Sequence, residues 1–150
     1  MDPQRRTAAL WYARGRALVG VGLTVLPGVG GAVALGSRRP GARAAVRMLG
    51  VRDLALGLGA VAGVREGRQA PEWLGWGAAA DAVDACSLLV TPGLPKRSRL
   101  FGLVAAAAAV VGLRLAWELA DERAEAEAAA RQATRVAAAE AEAAATGTGS

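Results

Sequence analysis

The stretch WLGWGAAADAVDACSLLV, residues 73–90, decides the fold, because it sets two acidic residues, Asp81 and Asp84, inside an otherwise apolar run. Isolated charges in hydrocarbon are costly, so such side chains face a protein interior and pair with opposite charges. Residues three apart lie on one face of a helix, which puts both carboxylates on a stripe that also contains Gly77. The stretch therefore predicts a helix whose acidic face packs against neighbouring helices.

Two other apolar segments carry charges that can pair with these carboxylates. Residues 44–64 contain Arg47, Arg52 and Asp53, and residues 100–119 contain Arg114. Because Arg52 and Asp53 are adjacent and point about 100° apart on a helix, we expect each to pair with another helix rather than with the other. The pattern predicts one intramembrane cluster whose charges cancel, made of Arg47, Arg52, Asp53, Asp81, Asp84 and Arg114.

A further apolar run at residues 17–36 has no charged side chain and is about as long as a helix that crosses a bilayer. Pro27 should bend or end it, so the first helix is predicted at about 8–26 or 17–36. The others are predicted at about 44–64, 72–91 and 99–118, separated by polar turns rich in Pro and Gly. Together they predict an all-α fold, a four-helix transmembrane bundle formed by residues 1–120.

The composition changes after residue 120, where Ala dominates with scattered Glu and Arg. Ala is the strongest helix former, and Glu127 with Arg131 makes a favourable pair four residues apart. Residues 121–150 are therefore predicted to form an Ala/Glu/Arg-rich, solvated helical tail that is disordered from Thr146 to Ser150.

Small residues predict where helices approach closely. Gly57, Gly59 and Gly63 lie in the second helix and Gly77 in the third. Gly59 and Gly63 form a small-xxx-small pair of the kind that brings two membrane helices together. This pair is the predicted contact of a homodimer.

Charge placement and composition limit the class of function. The net charge is +5, but the cations sit at the ends of apolar runs, where headgroup phosphates attract them, and no aromatic-interleaved basic stripe suits nucleic acid. The chain has no His, and its single Cys86 is expected to pack in an apolar helix. We therefore expect no catalytic residue, no metal or cofactor site and no enzyme activity. The expected partners are the lipid bilayer and an unknown protein, with no nucleic acid.

Three alternatives compete with this interpretation. Arg5 and Arg6 followed by the apolar run could form a cleaved signal peptide, with Ala32 to Ala34 as the cleavage motif. An Ala-rich soluble bundle is a second alternative, although the long charge-free runs leave little polar face for water. The Asp81-x-x-Asp84 pair also invites comparison with CDP-alcohol phosphotransferases, but Gly does not follow and the second aspartate pair is missing, so we exclude that chemistry.

The core RMLGVRDLALGLG, residues 47–59, resembles a family of small multi-pass membrane proteins from GC-rich bacteria. Its members share an R-x-x-G-x-R-D-L-A-L-G core and a following Trp-led helix with an Asp-x-x-Asp pair. The matching residues are Arg47, Gly50, Arg52, Asp53, Gly57, Trp73, Asp81 and Asp84. The resemblance covers residues 13–118 and implies a plasma (inner) membrane location, but it names no activity.

Two functions follow from these patterns. The first is a non-catalytic scaffold or partner subunit, in which the Arg/Asp cluster holds the helices together. The second is a small proton-coupled transporter or carrier that acts as a homo-oligomer and uses the intramembrane acids as a relay. Basic residues near the helix ends slightly favour cytoplasmic termini.

Overall fold

The computed structural model describes residues 2–147 and contains helices but no strand in that range. The elements are α1 (Pro3–Val25), α2 (Pro27–Gly30), a π-helical turn (Gly31–Leu35), α3 (Pro40–Glu66), α4 (Ala70–Val90) and α5 (Lys96–Gly147). The all-α prediction is therefore confirmed.

Helix boundaries follow local chemistry. Pro3, Pro40 and Pro71 lie in the first turns of α1, α3 and α4, where a missing N–H breaks no helical hydrogen bond. The Asp2 carboxylate caps α1 by accepting from the backbone N–H of Gln4 at 2.9 Å. At the end of α3, Gly67 adopts a φ of 69°, the left-handed conformation that terminates helices. These local signals mark the starts of three helices and the end of α3.

The charge-free run at 17–36 is split by Pro27 into two elements. Helix α1 ends at Val25, and the segment Pro27–Leu35 leaves it at an angle of 96°. Of the two predicted alternatives, the structure has the one that ends before Pro27, with a helix that starts earlier, at Pro3. Ser98, near the start of α5, donates from Oγ to the carbonyl of Ala34 at 2.6 Å. This hydrogen bond holds residues 27–35 against the start of α5. We call residues 27–35 the roof.

The bundle is built from two helix pairs. Helix α1 packs on α3, α4 packs on α5, and α3 joins the pairs by contacting α4, whereas α1 touches α5 over a small area. The α1–α3 contact is backbone on backbone: a Cβ on Gly20 would lie 2.3 Å from Leu54 N, and one on Gly57 would lie 2.6 Å from Ala17 N. Gly57 is therefore a contact of α3 with α1, and this interface admits no larger residue there.

Gly59 and Gly63 are helix contacts, but within the chain, so the homodimer stays a prediction without this contact. A Cβ on Gly59 would lie 2.5 Å from the Trp73 ring, and one on Gly63 would lie 2.9 Å from the backbone of Ala70. Both glycines face α4 of the same chain. A small-xxx-small pair indicates that a helix comes close but does not say which helix.

Side-chain sizes are distributed in an unusual way between the inside and the surface. The core is built largely from small side chains such as Ala9, Ala13 and Ala60, and it also buries Asp53 and Asp81. Among the residues whose exposure the structure describes, 24 large apolar side chains are exposed. They occur on every long helix, with Leu18 72%, Met48 74%, Val90 75% and Leu100 62% exposed.

By length and composition, fewer helices qualify as membrane spans than the four that the sequence predicts. Within residues 2–147, one helix, at Lys96–Glu140, is long and apolar enough to cross a membrane. Helix α1 and the roof meet the same criterion only when joined across their 96° bend. Helices α3 and α4 do not meet it, because each carries charged residues at its centre.

The predicted helical tail continues the fourth helix without a break. Helix α5 runs without a break for 52 residues, or about 78 Å at 1.5 Å per residue. The predicted Glu127–Arg131 ion pair is confirmed at 3.9 Å, and the hydrogen bond from Arg123 to Glu127 raises the pKa of Arg123. Of the residues predicted to be disordered, Thr146 and Gly147 are helical, and 148–150 lie outside the described residues.

Candidate functional site

Five charged side chains meet at mid-length of three helices, and Arg16 of α1 is at their centre. Its guanidinium Nη1 lies 3.1 Å from Asp53 Oδ1 of α3, and Nη2 forms a salt bridge with Asp81 Oδ2 of α4. Nη2 also donates to the carbonyl of Gly77 at 3.2 Å. The Arg16 side chain is only 8% exposed, so these contacts replace water. We call Arg16, Arg52, Asp53, Asp81 and Asp84 the charge cluster.

Arg52 extends the cluster along α3 and α4. It donates to both carboxylate oxygens of Asp84, from Nη1 at 3.0 Å and from Nη2 at 2.6 Å. This bidentate geometry is among the strongest that a guanidinium makes. Nη2 also lies 2.9 Å from Asp53 Oδ1, so the expectation that Arg52 and Asp53 do not pair is wrong. Their Cβ directions differ by about 100°, but the long Arg side chain folds back far enough to reach its neighbour.

Tyr12 connects the cluster to the fourth long helix. Its hydroxyl donates to the carbonyl of Ala108 in α5 at 2.8 Å and lies 3.3 Å from Asp81 Oδ2. Gly112 makes room for it, since a Cβ there would lie 2.6 Å from the hydroxyl. Through Tyr12, one polar network contacts α1, α3, α4 and α5.

Two predicted members of the cluster lie elsewhere. Arg47 is exposed and its Nε donates to the carbonyl of Thr24 at 3.4 Å. The Arg114 side chain is 75% exposed and lies 3.8 Å from Glu118. Both sit on helix faces that point away from the acids, and the predicted membership is therefore wrong for both.

Arg16 and Tyr12 are not among the residues predicted from the sequence. Arg16 directly precedes the apolar run at 17–36, where a cation also suits the lipid headgroups. A usable signal was present: Ala9, Ala13, Arg16 and Gly20 recur at helical spacing, so Arg16 continues a stripe of small, buried residues. Tyr12, four residues before Arg16, lies beside it on the helix surface.

The observed charge cluster differs from the predicted one in its net charge, because Arg16 belongs to it and Arg47 and Arg114 do not. The predicted set was neutral, whereas the charge cluster has two guanidinium groups and three carboxyl groups, which give one negative charge in excess when all are ionised. Gly77 contributes by its small size, because a Cβ there would lie 3.3 Å from the Arg16 guanidinium. In the described part of the chain, Arg16 Nε is buried and has no hydrogen-bond partner.

A cavity of about 990 Å³ adjoins the cluster. It fills the space where α1 and α5 separate, and the roof closes its far end. Its walls are apolar, with Val19, Leu23, Leu49, Leu88 and Val104 among them. The charged side chains that line it are Arg16, Asp53, Asp81 and Asp84.

The described residues offer no metal site, since no group of three or more His, Cys, Asp or Glu side chains there is placed to hold an ion. Cys86 is exposed on α4. The chemistry that the arrangement supports is ion pairing, hydrogen bonding and the accommodation of an apolar molecule.

Comparisons with protein-family models, curated proteins and solved structures find no match to this chain. The resemblance to small multi-pass membrane proteins therefore stays a prediction.

Proposed function

We propose that this chain is a multi-pass integral membrane protein in which α1, α3, α4 and α5 cross the bilayer. The observation that carries the proposal is the inverted distribution of side chains: charged groups lie at the centre, and large apolar ones cover the outside. Contiguous apolar surface is rare on soluble monomers and marks contact with a membrane or a partner. Hydrocarbon around the bundle would solvate this surface, whereas water would not.

Pairing explains how α3 and α4 can enter a bilayer despite their charges. A charged residue at a helix centre costs about 2.5–3.5 kcal/mol on insertion scales. Asp53, Asp81 and Asp84 each contact an Arg, so the charges need not face lipid. Insertion of these two helices depends on assembly with α1, which brings Arg16.

The two ends of the bundle differ in a way that suits a membrane. All four Trp residues, at positions 11, 73, 76 and 117, lie toward the end where Arg5 contacts Glu122 and Arg123 contacts Glu72. Tryptophan is enriched at membrane interfaces. The opposite end carries Arg38, Arg39, Arg43, Arg47, Lys96, Arg97 and Arg99, and neither 27–52 nor 85–117 contains an acidic residue.

The Trp end carries almost as many cations, but they are mixed with acids. The acid-free basic end is the one that we propose for the cytoplasm, which is opposite to the orientation expected from sequence. Cytoplasmic loops collect Lys and Arg, so the loops at 36–39 and 91–95 would face the cytoplasm and both termini the other side. We propose this orientation for the plasma (inner) membrane. Labelling of intact cells with a membrane-impermeant maleimide tests it in a Cys86→Ser background. Gln69→Cys should react and Ser37→Cys should not, and the reverse pattern would return the termini to the cytoplasm.

Within the membrane, the role that the site supports best is that of a non-catalytic scaffold or partner subunit. The charge cluster and Tyr12 join all four long helices, which is what a structural role requires. Alkaline carbonate extraction tests the membrane proposal directly. The chain should stay in the membrane pellet and enter solution only with detergent; recovery in the aqueous fraction would refute it.

A carrier that acts as a homo-oligomer is the second candidate, and the cavity is the observation that favours it. An apolar space that ends at unbalanced charge is suited to holding a solute. Reconstituted vesicles distinguish the two candidates: a carrier shows solute- or pH-dependent flux that Asp81→Asn abolishes, and a scaffold shows none.

A further inference from the structure

The cavity is a cleft open at the side, where the wall residues Val19 and Val104 are 56% and 60% exposed. The roof covers one end, and Ser98 and Arg97 hold it by donating to the carbonyls of Ala34 and Ala32. The charge cluster forms the floor. The small contact area between α1 and α5 leaves a gap beside the cavity. With lipid around the bundle, a molecule dissolved in the bilayer would enter through this gap.

The floor of the cavity has more carboxylates than guanidinium groups. Three carboxylates and one guanidinium, that of Arg16, line it, whereas Arg52, which pairs with Asp84 and Asp53, does not. Asp84 has the most accessible carboxylate of the three, with its side chain 23% exposed against 12% for Asp53 and 10% for Asp81. An excess charge in a low-dielectric interior is strongly unfavourable unless an opposite charge comes close.

We propose that this cavity binds a lipophilic cation, a molecule that carries one positive charge on a hydrocarbon or aromatic body. The apolar walls would bury its body, and its charge beside Asp84 would neutralise the excess negative charge of the cluster. The volume of about 990 Å³ is at the upper end of the range for pockets that hold drug-sized ligands. The inference rests on the membrane location proposed above, which supplies the route of entry.

Other occupants satisfy only part of this chemistry. An acyl chain of a neutral lipid would fill the walls and leave the floor unbalanced, and an anion would increase the imbalance. A membrane-spanning helix of a second copy needs an open channel about 10 Å wide along the whole bundle, and the roof blocks that path. The cation is the occupant that matches both the walls and the floor.

Two ions of the same shape and opposite charge test the proposal. The full chain, purified in detergent, is dialysed to equilibrium against radiolabelled tetraphenylphosphonium or tetraphenylborate. We expect saturable binding of one tetraphenylphosphonium per chain and no saturable binding of tetraphenylborate. Equal uptake of both ions, or no saturable uptake of the cation, would overturn the proposal.

Variants place the ligand in the cavity. Asp84→Asn leaves two guanidinium groups and two carboxylates, so the cluster becomes neutral, and the affinity for the cation should fall at least tenfold. Because this change also weakens an ion pair, a second variant leaves the charges intact: Ala105→Phe fills the cavity from α5 and should abolish binding. Its matched control, Ala107→Phe, lies two residues away, is exposed and does not line the cavity, so it should bind as the wild type does.

The outcomes separate this inference from the proposed function. If the folded chain needs detergent but Ala105→Phe binds the cation with wild-type affinity, the cavity proposal fails and the membrane proposal stands. If Ala105→Phe converts a dimer to a monomer in size-exclusion chromatography and the cation has no effect on wild type, a second copy is the occupant. A chain that is soluble without detergent refutes the membrane proposal before any binding is measured.

Discussion

Replacing Arg16 by Met tests the centre of the charge cluster. Met has similar length, fits an apolar helix and removes the charge. The substitution leaves Asp53 and Asp81 without their shared guanidinium, with side chains only 12% and 10% exposed. Because all three side chains are buried, the cost for a buried pair applies rather than that for a surface pair. Removing one partner of a buried ion pair costs about 3–5 kcal/mol.

The control is Arg114→Met. The Arg114 side chain is 75% exposed, and its one ion pair, with Glu118 at 3.8 Å, is of the weak surface type. Surface pairs contribute about 0–1 kcal/mol, so we expect this variant to unfold close to the wild type. The contrast is informative because sequence alone placed Arg114 in the cluster and Arg16 outside it.

The assay is unfolding of the purified protein in mixed detergent micelles by increasing SDS, followed by helical circular dichroism, with a thermal melt as a second measurement. A loss of 3–5 kcal/mol in a chain of this size lowers the melting temperature by roughly 6–20 °C. Adding Asp81→Asn to Arg16→Met returns the net charge of the cluster to its original value, so the double variant should lose less than the sum of the single losses. If Arg16→Met and Arg114→Met unfold at the same SDS concentration, or if the losses of Arg16→Met and Asp81→Asn simply add in the double variant, the charge cluster does not stabilise the bundle through the pairing of Arg16 with Asp81.

Three further predictions concern other contacts. Gly20→Ala should destabilise the bundle by about 1–3 kcal/mol, because the added Cβ would lie 2.3 Å from Leu54 N. The control Gly22→Ala meets no atom within 4 Å and should stabilise the bundle by up to about 1 kcal/mol. SDS titration measures both variants, and equal effects would contradict the close α1–α3 contact. Tyr12→Phe should lower the unfolding free energy by about 0.5–1.5 kcal/mol, because it removes the hydroxyl's hydrogen bond to the Ala108 carbonyl, which keeps its bond within α5; a value equal to that of the wild type would contradict a stabilising role for the hydroxyl. Deleting residues 132–150 should change the unfolding free energy by less than about 0.5 kcal/mol, because the described side chains there are exposed; a larger loss would mean that the tail packs on the bundle.

Much of the secondary structure was predictable because its signals are local. Proline in a first turn, glycine past a helix end and apolar stretches of bilayer length each act within a few residues, and they placed the long helices and the break at Pro27. The start of α1 was missed. The helical tail was predicted because Ala, Glu and Arg continue a helix as well as Leu does, and in the structure it joins the apolar part of α5 without a break.

The site was predictable only in part. Arg52, Asp53, Asp81 and Asp84 stood out because charge inside an apolar run is conspicuous, and all four belong to the charge cluster. Arg16 escaped because it lies at the edge of such a run, where a cation also suits the lipid headgroups. Choosing between these environments requires the rotation of α1 about its axis, which packing against α3 sets through Gly20.

The sequence by itself determined that the chain is helical, where its acids lie and that those acids need cations, because these properties follow from residue type and spacing along one helix. Only the tertiary structure decided which cations pair with these acids, since the pairing depends on which faces of distant helices meet. The same packing put α1 beside α3 rather than α5, turned Arg47 and Arg114 outward, and left a cavity beside one uncompensated negative charge.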